Sequence, residues 1–201
     1  MTLLDTLMGL CLGIGLSAAC GLRVFLPLLS LSVASHLGWV PLAPSFQWVA
    51  SPPAMVALSL ATFIEVAAYF VPWLDNTLDS LSGPAAVLAG TLITASQLDQ
   101  LNPLLQWGLA LIAGGGTAGV VQGTTSFVRG GSTMVTAGLG NPLLASVELG
   151  GSLLGSLLSL SLPVLAAVLA IGGIATVMLV LWHRRARKTA SVVEGGSASA
   201  A

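Results

Sequence analysis

Charged side chains are scarce in this sequence. Only 6% of its 201 residues are Asp, Glu, Lys or Arg, whereas 55% are hydrophobic and the mean hydropathy is +0.97. Soluble domains carry roughly 25% charged residues, so water is not the main solvent of this fold. A nucleic-acid partner, which demands a clustered basic surface, is not expected either. A bilayer-spanning helix needs ~20 apolar residues, which leaves room for six spans.

Residues that bind metals or act as nucleophiles are also few. Cys11 and Cys20 lie in the first apolar segment without zinc or redox spacing. His36 and His183 lie at the ends of predicted spans, whereas a membrane protease would require a histidine within one. No tight aspartate motif of a lipid phosphotransferase is present. The glycines at 114–116 lack the lysine of a phosphate-binding loop. We therefore predict no enzyme activity, no cofactor and no metal site.

The apolar runs predict an all-α membrane protein with six helices. The expected spans are Leu3 to His36, Ala54 to Val71, Pro84 to Gln97, Asn102 to Phe127, Pro142 to Leu160 and Leu162 to Trp182. Pro27 predicts a kink or break near Arg23, because proline removes a helix hydrogen bond. The stretch PWLDNTLDSLSG is expected to be an interfacial half-helix or loop, and a loop is expected from Gly130 to Pro142.

Small residues recur at every fourth position in the first and fourth spans. The first stripe is Gly9, Gly13, Ser17 and Gly21, and the second is Gly115, Gly119 and Gly123. Small residues at this spacing let another helix approach closely within a membrane. A chain this short, packed through such stripes, is also expected to form a homo-oligomer.

The two halves of the chain show the same order of features. A glycine-striped span, kinked or broken, leads to an arginine, then a span with a glutamate, then a proline that opens an alanine-rich span. Three spans per half is an odd number, so the second repeat would be inverted relative to the first. We predict one membrane domain over residues 1–188, with repeats at 1–100 and 101–188, and a disordered tail at 189–201.

Four intramembrane charges are the candidate functional residues: Arg23, Glu65, Arg129 and Glu148. An ionised side chain at membrane depth costs at least ~2.5–3.5 kcal/mol, which makes each a functional candidate by default. The glutamates could handle a proton or cation, and the arginines could bind an anionic group. The alternative is that each arginine only pairs with a glutamate and so holds the repeats together.

Four further polar residues lie at predicted span boundaries. Asp75 and Asp79 are one helical turn apart and could contact a cation, although two carboxylates make an incomplete site. An ordinary solvated acidic loop is the favoured explanation for them. Asn76 and Asn141 suit helix capping and turns, and stay on the list of candidate solute- or ion-binding residues.

The basic cluster HRRARK after the sixth span predicts a cytoplasmic C-terminus by the positive-inside rule. An even number of spans then places the N-terminus in the cytoplasm as well. The end of the fourth span, with Arg129, falls on the same side.

Three segments resemble a known family: GLRVFLPLL from Gly21, EVAAYFVPWLDNTLD from Glu65 and TAGLGNPLLASVE from Thr136. The family consists of small bacterial integral membrane proteins catalogued as a domain of unknown function, number 4126. The resemblance covers nearly all of Met1 to Arg187. It implies a helical protein of the bacterial inner membrane, and it assigns no substrate and no functional residue.

The leading functional prediction is a transporter or channel for a small solute or ion. The alternatives are a protein that handles lipid headgroups and a scaffold that transports nothing. A continuous polar cavity that reaches both glutamates would favour the first, a groove open sideways to lipid the second, and a dry packed interior the third. The expected partners are membrane lipid, a small solute or ion, and further copies of the chain.

Overall fold

The structure is a computed structural model that describes residues 3–68, 72–99, 101–136 and 140–198. The described residues form helices and include no strand. The α-helices are α1 Leu3–Cys20, α2 Phe25–His36, α3 Pro52–Ala67, α4 Pro72–Ser96, α5 Pro103–Leu109, α6 Gly116–Thr136, α7 Asn141–Ser161 and α8 Pro163–Ala198. A 3-10 helix, Pro44–Ala50, precedes α3, and a π-helical segment, Ala110–Gly115, joins α5 to α6.

Four helices are long and apolar enough to cross a membrane: Leu3–Cys20, Pro103–Val135, Leu143–Ser161 and Pro163–Val180. The 3-10 helix and α3 together would make a fifth span, bent by 61°. These spans make the chain an α-helical membrane protein. The predicted count of six is higher because the third predicted span corresponds to the apolar part of α4, Leu81–Ser96, which is shorter than a full span.

The first predicted span is broken at residues 21–24, where α1 ends and α2 begins. Pro27 is not the cause, because it lies in the first turn of α2, where a missing N–H is harmless. The fourth predicted span is distorted by the π-helical segment, a feature that often marks functional sites. Its Gly114 lies so close to α4 that a Cβ there would clash with the carbonyl oxygen of Gly90.

One loop prediction needs correction, and one stretch expected to be a half-helix or a loop is helical. Helix α6 continues to Thr136, so the loop expected from Gly130 is helical over residues 130–136, while residues 137–139 lie outside the described part. The stretch that begins at Pro72 is the first half of α4 and continues through Pro84. In both places helix continues past residues that usually interrupt it, two glycines in α6 and one proline in α4.

Helix α1 lies at the centre of the bundle, and its small-residue stripe packs on α4. A Cβ at Gly9 would be 2.8 Å from the carbonyl oxygen of Gln97, and one at Gly13 would be 2.9 Å from Thr94 Oγ1. Ser17 Oγ donates a hydrogen bond to the carbonyl oxygen of Gly90 at 3.0 Å. The first stripe therefore makes the close helix contact that its spacing predicts.

Helices α1 and α8 run in the same direction. Asp5 and Pro163, near their first residues, line one cavity at one end of the bundle, whereas Leu22 and Val177 line another towards the opposite end. The N-terminus and the end of α8 therefore leave the bundle at opposite ends. Six spans would have brought both to the same end. Helix α8 also carries on to Ala198, into the segment 189–201 for which the sequence predicts disorder.

Candidate functional site

The structure brings the four intramembrane charges together at one end of the bundle. Arg23 lies in the break between α1 and α2, and Arg129 lies in α6. Glu148 faces them from α7, and Glu65 reaches the same place from α3. We refer to these four residues as the charge cluster. Two positive and two negative groups would make it neutral overall when all four are ionised.

Glu148 binds both arginines of the charge cluster. Arg129 Nε donates to Glu148 Oε1 at 2.9 Å, and Arg129 Nη2 donates to Oε2, which makes a two-point contact. Arg23 Nη2 lies 3.5 Å from the same Oε2. Both guanidinium groups thus share one carboxylate, an arrangement that differs from the predicted pairing of each arginine with a glutamate of its own.

Arg23 is held in the interior by the break in the first span. Its residue is only 2% exposed, and its Nη2 donates a hydrogen bond to the carbonyl oxygen of Ala145 in α7 at 2.7 Å. Ala145 lies one turn before Glu148, so a single side chain contacts both the backbone and the carboxylate of α7. Arg23 therefore ties the α1–α2 break to α7.

Glu65 makes a different contact, to backbone N–H groups. Its Oε1 accepts from the N–H of Val24 at 2.8 Å, and its Oε2 accepts from the N–H of Phe25 at 3.2 Å. The first amides of a helix have no partner within it and carry partial positive charge, so a carboxylate satisfies them well. Glu65 thus caps α2. It lies near the end of α3, which closes at Ala67.

A small polar cavity adjoins the charge cluster. It has a volume of about 20 Å³, room for about one water molecule. Its lining comprises Glu65, Arg129 and Glu148 together with Leu22, Val24, Ser82, Gln122 and Thr125. Gln122 Nε2 donates to Ser82 Oγ at 2.7 Å, which links α6 to α4 beside the cavity.

Sequence reasoning missed the neutral polar residues of this cavity. Gln122 could have been found, because it is the one amide side chain in the apolar run from Ala113 to Phe127. Ser82 and Thr125 carry no such signal, since serine and threonine are common in membrane helices and usually bond their own backbone.

The remaining candidate residues are placed only by their backbone. Asp75, Asn76 and Asp79 belong to the first half of α4, and Asn141 is the first residue of α7. Their side chains lie outside the described part of the structure, so their predicted role in solute or ion binding stays a prediction.

A family model described as "Domain of unknown function (DUF4126)" matches residues 10–184 of the chain. The chain belongs to DUF4126. The match contains all four residues of the charge cluster and every lining residue of the adjoining cavity. The DUF4126 description names no activity. Comparison with curated proteins and with solved structures found no match.

Proposed function

We propose that this DUF4126 protein transports protons, or an ion no larger than a water molecule, through the charge cluster. The observation that carries the proposal is the cavity of about 20 Å³ that both glutamates line. A buried polar cavity that touches two carboxylates and a guanidinium can hold a water molecule that exchanges protons with them.

The size of this cavity narrows the range of possible substrates. Binding sites for small organic molecules usually have volumes of about 300–1,000 Å³. A cavity of about 20 Å³ excludes such molecules, so a small organic solute is a poor candidate for the charge cluster. A proton needs only the carboxylates and one bridging water.

The free-energy cost of burying charged side chains also supports a functional role for the charge cluster. Arg23, Arg129 and Glu148 are each at most 9% exposed, and each charge inserted at membrane depth costs several kcal/mol. Apolar residues of similar size often fill such a position at equal or lower cost. If the charge cluster served only stability, apolar residues would serve as well or better.

The proposal includes an orientation in the membrane. The basic cluster at residues 183–188 favours the cytoplasm for the end of α8, by the positive-inside rule. Since α1 runs parallel to α8, the N-terminus would then lie on the opposite side of a bacterial inner membrane. The charge cluster would lie towards the cytoplasmic side, because Arg129 and Glu148 lie near the end of α6 and the start of α7.

We also propose an inverted repeat, in a form that differs from the predicted division at residue 100. Helices α4 and α6 are antiparallel, as the contacts Thr91–Gly115 and Ser82–Gln122 show. Helices α2, α3 and α4 alternate in direction along the bundle. Helices α6, α7 and α8 also alternate, but α6 begins at the end of the bundle opposite to the one where α2 begins. This order supports two inverted three-helix units, each with one glutamate in its middle helix, and leaves α1 outside them.

Proton flux into liposomes tests the proposal. Wild-type protein, Glu65→Gln and Asp99→Asn would be reconstituted, and the decay of a pH gradient would be followed under a potassium diffusion potential. Asp99 is an exposed carboxylate that lines a cavity at the opposite end of the bundle, which makes its variant the matched control. We expect flux from the wild type and from Asp99→Asn, and a fall to the rate of protein-free vesicles for Glu65→Gln.

Two results would overturn the proposal. One is equal proton flux from Glu65→Gln and wild type, which would place any conduction away from the charge cluster. The other is a folded wild type that conducts no faster than empty vesicles, with the substituted protein merely less stable. That second result would leave the charges as structural pairs and favour the scaffold function.

A further inference from the structure

A second cavity of this protein is apolar and opens sideways. It has a volume of about 440 Å³ and lies between α6 and α8, over a floor made by α1 and α7. We call it the lateral groove. Its floor includes Ala19, Gly151 and Gly155, and its walls include Val121, Ile174 and Val177. Leu22 and Thr125 line both the lateral groove and the small cavity at the charge cluster.

The lateral groove exists because small residues occupy its floor and part of one wall. Gly155 approaches Ala19, so α7 lies close to α1, and the floor carries only small side chains at Ala19, Gly151 and Gly155. On α8, a Cβ added at Gly173 would meet nothing within 4 Å. The space in front of Gly173 is therefore unfilled by this chain.

The volume and the lining limit what can occupy this space. A volume of about 440 Å³ falls within the range of small-molecule sites, and almost all of the lining is apolar. Along α8 the groove runs from Ala166 to Val177, which is ~16 Å at 1.5 Å per residue. An elongated apolar space that opens towards the bilayer fits a hydrocarbon chain, because it has few groups to bind a polar solute.

The basic residues beyond one end of the lateral groove indicate which kind of lipid headgroup would bind there. Helix α8 continues beyond Val177 without a break into the basic residues Arg184, Arg185, Arg187 and Lys188. Positions 184 and 188 follow 177 by seven and eleven residues, so helical periodicity places them on the same face as Val177. Basic clusters next to the end of a membrane helix attract anionic lipid headgroups.

We infer that the lateral groove binds one acyl chain of an anionic membrane lipid, whose headgroup lies against the basic segment of α8. The site is separate from the proton path proposed above, although the two share Leu22 and Thr125. It also differs from general contact with the bilayer, since it predicts one preferred lipid class at one place.

Substitution of two neighbouring glycines tests the apolar part of the site. Gly172 and Gly173 both have open space in front of them, but only Gly173 lines the lateral groove. Gly173→Leu should fill the groove without a clash, and Gly172→Leu is the matched control on the surface of the same helix. The probe is phosphatidylglycerol with a nitroxide on one acyl chain, present as a trace in phosphatidylcholine vesicles.

The measurement is the motionally restricted fraction of this lipid in electron paramagnetic resonance spectra. We expect its apparent affinity to fall about tenfold in Gly173→Leu and to stay at the wild-type value in Gly172→Leu. Arg184→Gln combined with Lys188→Gln should lower the preference for labelled phosphatidylglycerol over labelled phosphatidylcholine about tenfold. Circular dichroism and gel filtration would check that each variant is folded.

Three outcomes would overturn the inference. Equal restricted fractions for Gly173→Leu and Gly172→Leu would show that the groove holds no acyl chain. A wild type that shows no preference for the anionic lipid would remove the role of the basic segment. A shift of Gly173→Leu to a smaller oligomer would assign the groove to a second copy of the chain.

Discussion

Glu65 and Glu148 are the matching glutamates of the repeat that the sequence predicts, yet the structure gives them different partners. Glu148 is 7% exposed and contacts the guanidinium groups of Arg23 and Arg129. Glu65 is half-buried and accepts hydrogen bonds from the backbone N–H groups of Val24 and Phe25. The first glutamate of the chain caps a helix, whereas the second pairs with two buried arginines.

The helices that carry these two glutamates also differ, in how closely each packs against the rest of the bundle. Helix α7 is packed against α1 through Ser152, whose Oγ donates to the carbonyl oxygen of Ala19 at 3.0 Å, and through Gly155. Helix α3 has no fully buried residue and packs mainly on α2. Glu148 therefore lies on a helix packed against the central helix α1, and Glu65 fastens a peripheral helix to the bundle.

The largest effect is expected from Glu148→Gln. This change leaves two buried arginines without their shared carboxylate, and loss of one partner from a buried ion pair costs about 3–5 kcal/mol. We expect a decrease of that size in the free energy of unfolding, measured by titration with sodium dodecyl sulfate in mixed micelles. If Glu148→Gln unfolds at the same detergent fraction as the wild type, Glu148 does not stabilise the bundle.

A double substitution serves as the control for this prediction. Arg129→Gln combined with Glu148→Gln removes one charge of each sign and leaves Arg23 with its hydrogen bond to Ala145. It should destabilise the protein less than Glu148→Gln alone, because one buried guanidinium, and not two, then lacks the carboxylate of Glu148. A double variant less stable than the single one would contradict this account.

The second-largest decrease in the free energy of unfolding is expected from Gly21→Ala, in the first of the two glycine stripes. A Cβ at Gly21 would lie 2.5 Å from Val121 Cβ and 2.7 Å from the carbonyl oxygen of Ala118. Helices α1 and α6 would have to move apart, and overpacking of this kind costs about 1–3 kcal/mol. The same detergent titration measures the loss, and an unchanged midpoint would mean that the two helices are free to separate.

Much of this arrangement could be predicted from sequence, and the exceptions have physical reasons. The contact of the first stripe follows from the spacing of its small residues, and the break beside Arg23 lies where the sequence predicts it, although Pro27 is not its cause. The partner of Glu65 could not be predicted, because pairing acidic with basic side chains in the sequence leaves out the backbone N–H groups at a helix N-terminus. The extension of α6 past Gly130 contradicts local propensity, which favours a loop there.

The third effect is that of Glu65→Gln. Glutamine still accepts one hydrogen bond, but its NH₂ group cannot accept the other, and the charge that complements the helix dipole is lost. Hydrogen bonds to charged groups contribute about 1.5–3 kcal/mol, so we expect a loss at the lower end of that range. Hydrogen exchange should rise in α2 and α3 and stay unchanged in α7. A uniform rise over all helices would mean that Glu65 holds the whole bundle, as Glu148 does.

The smallest effect, and the only stabilising one, is expected from Gly123→Ala in the second stripe. A Cβ at Gly123 would meet nothing within 4 Å, in contrast to one at Gly21. Alanine in a helix interior is favoured over glycine by about 0.8–1 kcal/mol, and no contact opposes this gain. We expect a small rise in the free energy of unfolding, in the same titration as for Gly21→Ala. A fall would show that a further helix, from a second copy of the chain, packs against this end of the second stripe, as α4 packs against the first.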